Sequence, residues 1–569
     1  MSVLEPITFD RGLNIKKSPL TLEDGEFVSC SGFVFDSQGD LTARTPKTAV
    51  STSAVGAIHT IHRYKNYVLL GDAKAARYKW DLDGYCSLYV PPNGNFTSLG
   101  NLNSSNPWSV ADAEDFTFWV NGIDSKAFCN ANWYEWVIPN PETAPAGAIG
   151  TGVGPSDTYS LYYSFYIKFP NGRTYETGLS PAGSVTVSNQ GIAWSKIGVS
   201  LYSGTGVTIH RKLYRTSASI IDIYYVTTIA DNTTTTYNDV LDDTALEANA
   251  IETTYGMTPI PTGMVDIAYY LGRVFGIKGS FLYPSEPYLP FTFDYSNELQ
   301  VTPEGIDLVV VVAWGDQLYL ASAEKWYRLQ GSTSATWSIR NTFAETGVIN
   351  RRTVIATRYG IIAQWYDGIY IFDGSLTKSI TKDNIPKSVF TGMTSPKNAY
   401  ASFDGRLYKF YYPSTGTTID KCLVFDLMDY PTIKFYNEDF LATAMEFHFP
   451  TGIYYYAKGG LHYKDGTSET IVTSLQTGDK VAKDIAHQKE LEYLYYDINT
   501  NGKDVIVTFY CDGVAQTPVK ILNTSTRTRD RIELPKWQGY RFSLKIDCVD
   551  SQSLHIYSPW MVSCNPFGA

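Results

Sequence analysis

Residues 269–277 read YYLGRVFGI: the end of one strand, a Leu-Gly turn, and a second strand rich in aromatic and β-branched side chains. The same phrase returns as HRYKNYVLL (62–70), ADAEDFTFW (111–119), AWGDQLYLA (313–321), TRYGIIAQW (357–365), SFDGRLYKF (402–410) and HFPTGIYYY (448–456). A tight polar or glycine turn between such runs marks an antiparallel hairpin. The turns recur at a steady interval. Asn66 to Asp115 is 49 residues, and Gly272 to Asp316 and Gly360 to Asp404 are 44 each. A period of about 40–50 residues with several strands per unit predicts β-propeller blades. One such unit cannot bury its own faces, so the units must stack around an axis. Seven hairpins are present, and the expected count spans six to eight blades.

The interval breaks once, between the second and third hairpins. PNPETAPAGAIGTGVGPSD (139–157) reads as a Pro/Gly/Ala linker. Alternating strands follow it, through TYSLYYSFYIKFPNGRTYETGLSP and TIHRKLYRTSASIIDIYYVTTIADNTTTTYNDV. Their extent suits one β-sandwich inserted into an interblade loop, where insertion costs the host little. The chain ends on a second compact strand set, LEYLYYDINTNGKDVIVTFYCDGV, RIELPKWQGYRFSLKIDC and SLHIYSPWMV. The expected fold is therefore all-β, in five parts. An N-terminal strand segment (1–50) joins the propeller or the platform. Propeller blades occupy 51–145 and 256–480, interrupted by a fibronectin-like β-sandwich at 155–255. A β-sandwich-like platform occupies 488–569. Helical periodicity is almost absent, and its strongest candidate is Asp484 to Tyr495.

Composition agrees with strands. The chain has 43 Tyr, 27 Phe and 12 Trp, side chains that fit a pleated, half-buried surface. Tyrosine at that level also suits wide contact surfaces. The net charge of −11 argues against a general nucleic-acid binder. It is compatible with a wall past which DNA slides, because acidic side chains repel phosphates. The seven cysteines (Cys30, Cys86, Cys129, Cys422, Cys511, Cys548 and Cys564) are scattered and odd in number, with no CxxC pair. Buried free thiols are expected, not a disulfide framework or a zinc site. MSVLEPITFDRGLN lacks the apolar run of a signal peptide, and stretches such as Leu308 to Trp314 are too short to span a membrane.

No catalytic, cofactor-binding or metal-ligating residue is expected. His59 and His62 are three apart, a spacing that points strand side chains to opposite faces. His210, His448, His462, His487 and His555 are dispersed. Nucleophile elbow, Walker loop and Rossmann fingerprint are all missing. Gly150, Gly152 and Gly154 mimic a phosphate loop but lie in the linker with no helix after them. Asp81, Asp83 and Gly84 resemble the start of a calcium loop without its later ligands. Asp239, Asp242 and Asp243 cluster at a strand end, where a solvated turn is the plain reading and calcium the sharper one. Trp133, Trp136 and Trp365 could be sugar platforms but read more simply as core aromatics.

Three segments together resemble a known family. In FDRGLNIKKSPLTLEDGEFVSCSGFVFDSQGDLTARTP (9–46), the residues Gly12, Asn14, Pro19, Leu20, Gly25, Glu26, Gly39, Leu41 and Arg44 match a phrase that precedes the propeller in tail nozzle proteins, also called tail hub or tail tubular proteins, of short-tailed bacteriophages. YIKFPNGRTYETGLSP (166–181), RKLYRT (211–216) and TTYNDVLDDTAL (235–246) resemble that family's inserted sandwich, and TFYCDG with RIELPKWQGYRFSLKI resembles its terminal one. The resemblance implies a virion protein, made in the host cytoplasm, that forms a homohexameric ring. It implies portal and adaptor proteins above, tail fibres or spikes at the side, and passing double-stranded DNA that is not read by sequence. It implies no cofactor and no enzymatic activity. A different class of function, a glycan-binding or glycan-cleaving propeller such as a phage receptor-binding protein, would need a carboxylate-lined axial pocket.

Overall fold

A computed structural model describes residues 3–36, 38–50, 58–63, 77–81, 85–89, 96–130, 132–218, 222–448, 452–482, 485–549 and 553–566. The chain is almost all β, as expected. Among the described residues the α-helices are two short ones, Asp243–Glu247 and Ser388–Thr391.

Seven antiparallel meanders of four strands run through the chain from its first hundred residues to residue 465. They occupy residues 58–101, 109–135, 266–293, 308–341, 355–379, 400–437 and 444–465. The last has three strands of its own, and Lys47–Ala49 supplies the fourth by pairing with Leu461–Asp465. Five of the seven repeated sequence phrases are described throughout, and each of these is the connection between the first and second strands of a meander. The turn of HRYKNYVLL lies outside the described residues, as does most of the turn of HFPTGIYYY. Two turns show why they form: Glu114 and Asp115, and Leu271 and Gly272, all take positive φ, the pairing that matches the twist of a two-residue hairpin. From the second meander to the seventh the first strands pack on one another in order, and Ala444–His448 of the seventh returns against Ile58–Arg63 of the first, whose His62 reaches Asp112 of the second.

Between the second and third meanders lie two further sheets. Ser156–Lys168 is the spine of one, with Thr174–Glu176, Gly183–Ser188, Thr208–Thr216 and Ile223–Ile229. The other joins Ala146–Ile149, Ile192–Ser195 and Tyr237–Asp239, so the Pro/Gly/Ala stretch contributes a strand. They enclose Tyr159, Leu161, Trp194 and Leu213 in a common core. This unit is not held loosely. Phe169 stacks on Phe291 at 5.1 Å and meets Phe116 edge-on at 5.0 Å, so Phe169 and Tyr175 complete a core shared with the second and third meanders. The host leaves an apolar face that the insert covers.

The C-terminal strands build two large sheets, both of which recruit the N-terminus. In one, Val3–Ile7 pairs with Trp560–Pro566, which pairs with Lys489–Asn499. In the other, Glu26–Ser31 bridges the sixth meander to Val472–Thr477 and thence to Phe542–Val549 and Val505–Cys511. Phe9, Phe27, Leu494, Phe509, Ile546 and Trp560 share the core between them. Full burial of one such side chain contributes ~2–3 kcal/mol. The strongest helical candidate, Asp484 to Tyr495, whose Asp484 lies outside the described residues, falls in its described part largely on the strand Lys489–Asn499. Its pairing slips between Leu491 and Tyr493, which turns both Leu491 and Leu494 into the core at a spacing that imitates a helix.

Residues of the N-terminal phrase hold these junctions. Gly12, at φ +86, lies so close to the Phe435 backbone that a Cβ would sit 2.7 Å from its carbonyl oxygen. The Asn14 amide donates to Glu26 at 2.8 Å. Buried Arg44 pairs with both Asp439 and Glu469.

Candidate functional site: ring centre and exposed faces

Arg351 and Arg352 open the fifth meander on a short 3-10 turn that Asn350 caps through Arg352 N–H. Both guanidinium groups reach away from their own sheet. Arg351 donates to the carbonyls of Val265 and Pro107 and lies 3.9 Å from Asp266. Arg352 donates to the His59 carbonyl at 2.9 Å and lies over the Tyr400 ring at 5.3 Å. Asp266 in turn accepts from Ser109 and from Val311 N–H at 2.8 Å. Burial pushes the Asp266 carboxyl up, an effect that nearby Arg351 only partly offsets. Burial likewise pushes Arg352 down to about 10. Two consecutive arginines thus tie the segments that lead into the second and third meanders to the first and sixth. Nothing in the linear sequence marks them, because their partners are far away along the chain.

The residues weighed from sequence have plain fates. His59 is buried, while His62 Nε2 lies 3.3 Å from Asp112, so the pair shares no ligand position. Gly150 ends a strand, and a Cβ there would sit 2.3 Å from Asn238 Oδ1. Asp83 and Gly84 lie outside the described residues, as do the side chains of Asp81 and His448. Trp136 is core and donates to the Pro290 carbonyl at 2.9 Å. Trp133 carries Lys126 over its ring at 5.0 Å, and Trp365 donates to the Ala323 carbonyl. The solvated-turn reading of the aspartate cluster is corrected. Asp239 is fully buried and accepts from Arg215 at 2.8 Å, Asp243 accepts from Arg215 at 3.0 Å, and Asp242 caps the short helix. A buried guanidinium takes the place that calcium would need, because neither charge can be left unpaired away from water.

The six described cysteines, Cys30, Cys129, Cys422, Cys511, Cys548 and Cys564, are buried and form no disulfide. Burial pushes Cys511 up to about 11 and Cys129 and Cys564 up to about 12, which makes them poor nucleophiles.

Two features of the terminal sheets escaped the sequence reading. Asp36, Asp40 and His555 bring ligand atoms within 4.8 Å of one another, a set that could hold a metal. Both carboxylates already serve the loop, Asp36 accepting from the amides of Gln38 and Asp40, and Asp40 from that of Ser558. The second is a 690 Å³ cleft beside the strand Thr528–Glu533, lined by Tyr495, Asp497, Arg529, Arg531, Pro559 and Met561 among others. Arg527 and Arg529 both clamp Asp497, at 2.6 and 2.5 Å. The cleft is open, charged and aromatic, the chemistry of a contact surface. Among the described residues, no helix is long and apolar enough to cross a membrane.

No known family model matches the chain, and no curated protein matches it. Among solved structures, that of the computationally designed Ika8 protein is similar over 74% of this chain and 99% of its own, at 8% identity and a TM-score of 0.34. That score carries no argument about fold or function.

Proposed function

We propose that this chain is a structural, non-enzymatic component of a short phage tail: a nozzle or hub that forms a homohexameric ring below the portal–adaptor complex and lines the conduit for genome ejection. In this reading the seven meanders are the blades of a β-propeller, the sheets of 146–239 a fibronectin-like insert, and the terminal sheets a sandwich platform. Tail fibres or spikes attach at the side, and DNA passes without being read.

The observation that supports this most is the ring centre. Arg351 and Arg352 occupy the hub of this reading, with hydrogen bonds to the first meander and to the residues that lead into the second and third. A hub tied together in that way is a rigid block, not a pore, so a conduit has to lie between copies of the chain. The same place holds two guanidinium groups beside the single carboxylate of Asp266, not the pair of carboxyl groups that glycoside hydrolysis uses. The net charge of −11 suits a wall that duplex DNA slides past, since each added Lys or Arg contact to phosphate would slow transit.

Native mass spectrometry of the purified chain across a concentration series tests the reading. A closed species of six chains is expected. Turnover of a polysaccharide or sialoside by the pure protein, abolished by one Asp or Glu substitution, would overturn it.

A further inference from the structure

A cavity of about 230 Å³ lies where three parts of the chain meet: the N-terminal residues 32–47, the sixth meander and the seventh. Its wall is polar and largely buried. Lys47, Lys409, Tyr436 and Glu438 line it, and each is less than a tenth exposed. The more exposed Arg406 and Asp465 side chains, at 32% and 24%, mark its mouth. The cavity is smaller than the ~300–1,000 Å³ clefts that take drug-sized ligands, so its guest is the size of one sugar ring or less.

The charges of the wall are matched inside the chain. Lys409 pairs with Glu438 at 2.7 Å and Lys47 with Asp465 at 2.6 Å. Arg44 pairs with Asp439 and Glu469, and Arg406 with Asp426. The two ammonium groups are also held over rings, Lys409 over Tyr454 at 4.7 Å and Lys47 over Tyr456 at 4.5 Å. What is left over is hydrogen-bonding capacity. Glu438 Oε1 and the hydroxyls of Tyr436 and Tyr454 are buried without a hydrogen-bond partner. Asp404 accepts the amides of Arg406 and Leu407 through one oxygen, which leaves the other for a guest. Each ammonium has N–H groups beyond its ion pair. Buried polar atoms left unpaired cost stability, so three of them in one cavity wall point to a molecule that satisfies them.

We propose that this cavity binds a neutral polyhydroxylated molecule, a single sugar unit or a polyol of that size. A hydroxyl both donates and accepts. One guest can therefore donate to Glu438 and Asp404 and accept from Tyr436, Tyr454 and the two lysines. An ionic guest fits less well, because it adds a charge to a wall whose charges are already paired, and a buried charge without a partner is costly. An apolar guest would leave the orphaned atoms as they are. The site stands apart from the ring reading, since a bound polyol neither requires nor forbids assembly.

Saturation-transfer difference NMR on the full chain tests this. The probes are D-glucose, methyl α-D-glucoside and sorbitol at millimolar concentration, with L-lysine and acetate as ionic counterparts. Transfer to the polyols is expected, with none to lysine or acetate. Transfer to the methyl glucoside as well as to free glucose assigns the end of a glycan chain to the site, and transfer to glucose or sorbitol alone assigns a free polyol. Y436F and Y454F each remove a hydroxyl that no group in the chain uses. Both variants should melt no lower than the unaltered chain, while polyol affinity falls about 2–10-fold in each. No transfer to any polyol overturns the proposal, as does transfer to lysine or acetate alone. Polyol affinity unchanged in both variants overturns it too, because binding then lies elsewhere. Variants that melt clearly earlier would show that the fold itself uses the two hydroxyls, which also overturns it.

Discussion

The Arg352 guanidinium donates to the backbone carbonyl of His59 at 2.9 Å, joining residues 293 positions apart. With its neighbour Arg351 it fastens the start of the meander series to its later members. The fourth strand of the last meander, Lys47–Ala49, comes from before the first. The first meander is thus tied to later members of the series by a side chain, and the last is completed by a strand that precedes the first.

Arg351→Ala should destabilise the protein strongly. It removes the cation from buried Asp266 and frees two carbonyls, and breaking such a buried pair costs about 3–5 kcal/mol. Arg352→Met should cost less, about 1–2 kcal/mol, because its partners are neutral and the charge no longer has to be desolvated. Denaturant unfolding followed by tryptophan fluorescence measures both. Equal losses would mean that Asp266 does not depend on Arg351.

Phe169→Ala should weaken the second and third meanders although it lies in the insert. Deleting a buried phenylalanine costs about 3–5 kcal/mol, and here the cavity opens between Phe116 and Phe291. Hydrogen exchange should rise in residues 116–120 and 289–293. A rise confined to 156–229 would show that the insert and its host unfold independently.

Much of this arrangement was legible. Hairpins announce themselves because a two-residue turn and alternating side chains are local properties. Glu114-Asp115 and Leu271-Gly272 need no distant partner to be read. Three kinds of feature were not legible. Leu491, Leu494 and Ile498 look helical in spacing, and only the slip at Leu491 against Cys564 puts them on one sheet face. Phe169 and Tyr175 belong to the inserted stretch in sequence, yet they pack in the core of the second and third meanders. Arg215 gives no sign in sequence that it neutralises Asp239 and Asp243, since the pairing spans two sheets. Contacts made by ring closure, or between sheets, leave no period to detect.

Asp497 should make stability sensitive to acid. Burial raises its carboxyl, but the hydrogen bonds and charges of Arg527 and Arg529 outweigh that and hold it below the usual carboxylate range. A carboxyl lowered in the folded state contributes stability that is present above its unfolded pKa of about 3.9 and lost as pH falls through the lower folded value. Asp497→Asn should therefore melt earlier than the unaltered chain at pH 7, and the two melting temperatures should converge as pH falls below about 4. Differential scanning calorimetry at steps from pH 7 to pH 3 measures it. Parallel curves would show that the arginine clamp contributes nothing.

The ring itself is tested most directly by electron microscopy of the purified chain at concentrations where it associates. Six-fold rings are expected, with the meander bodies arranged around a central bore wide enough for duplex DNA and no density gap at each meander hub. Single particles of one chain at every concentration, or rings whose bore is narrower than the duplex in every class, would contradict the conduit reading.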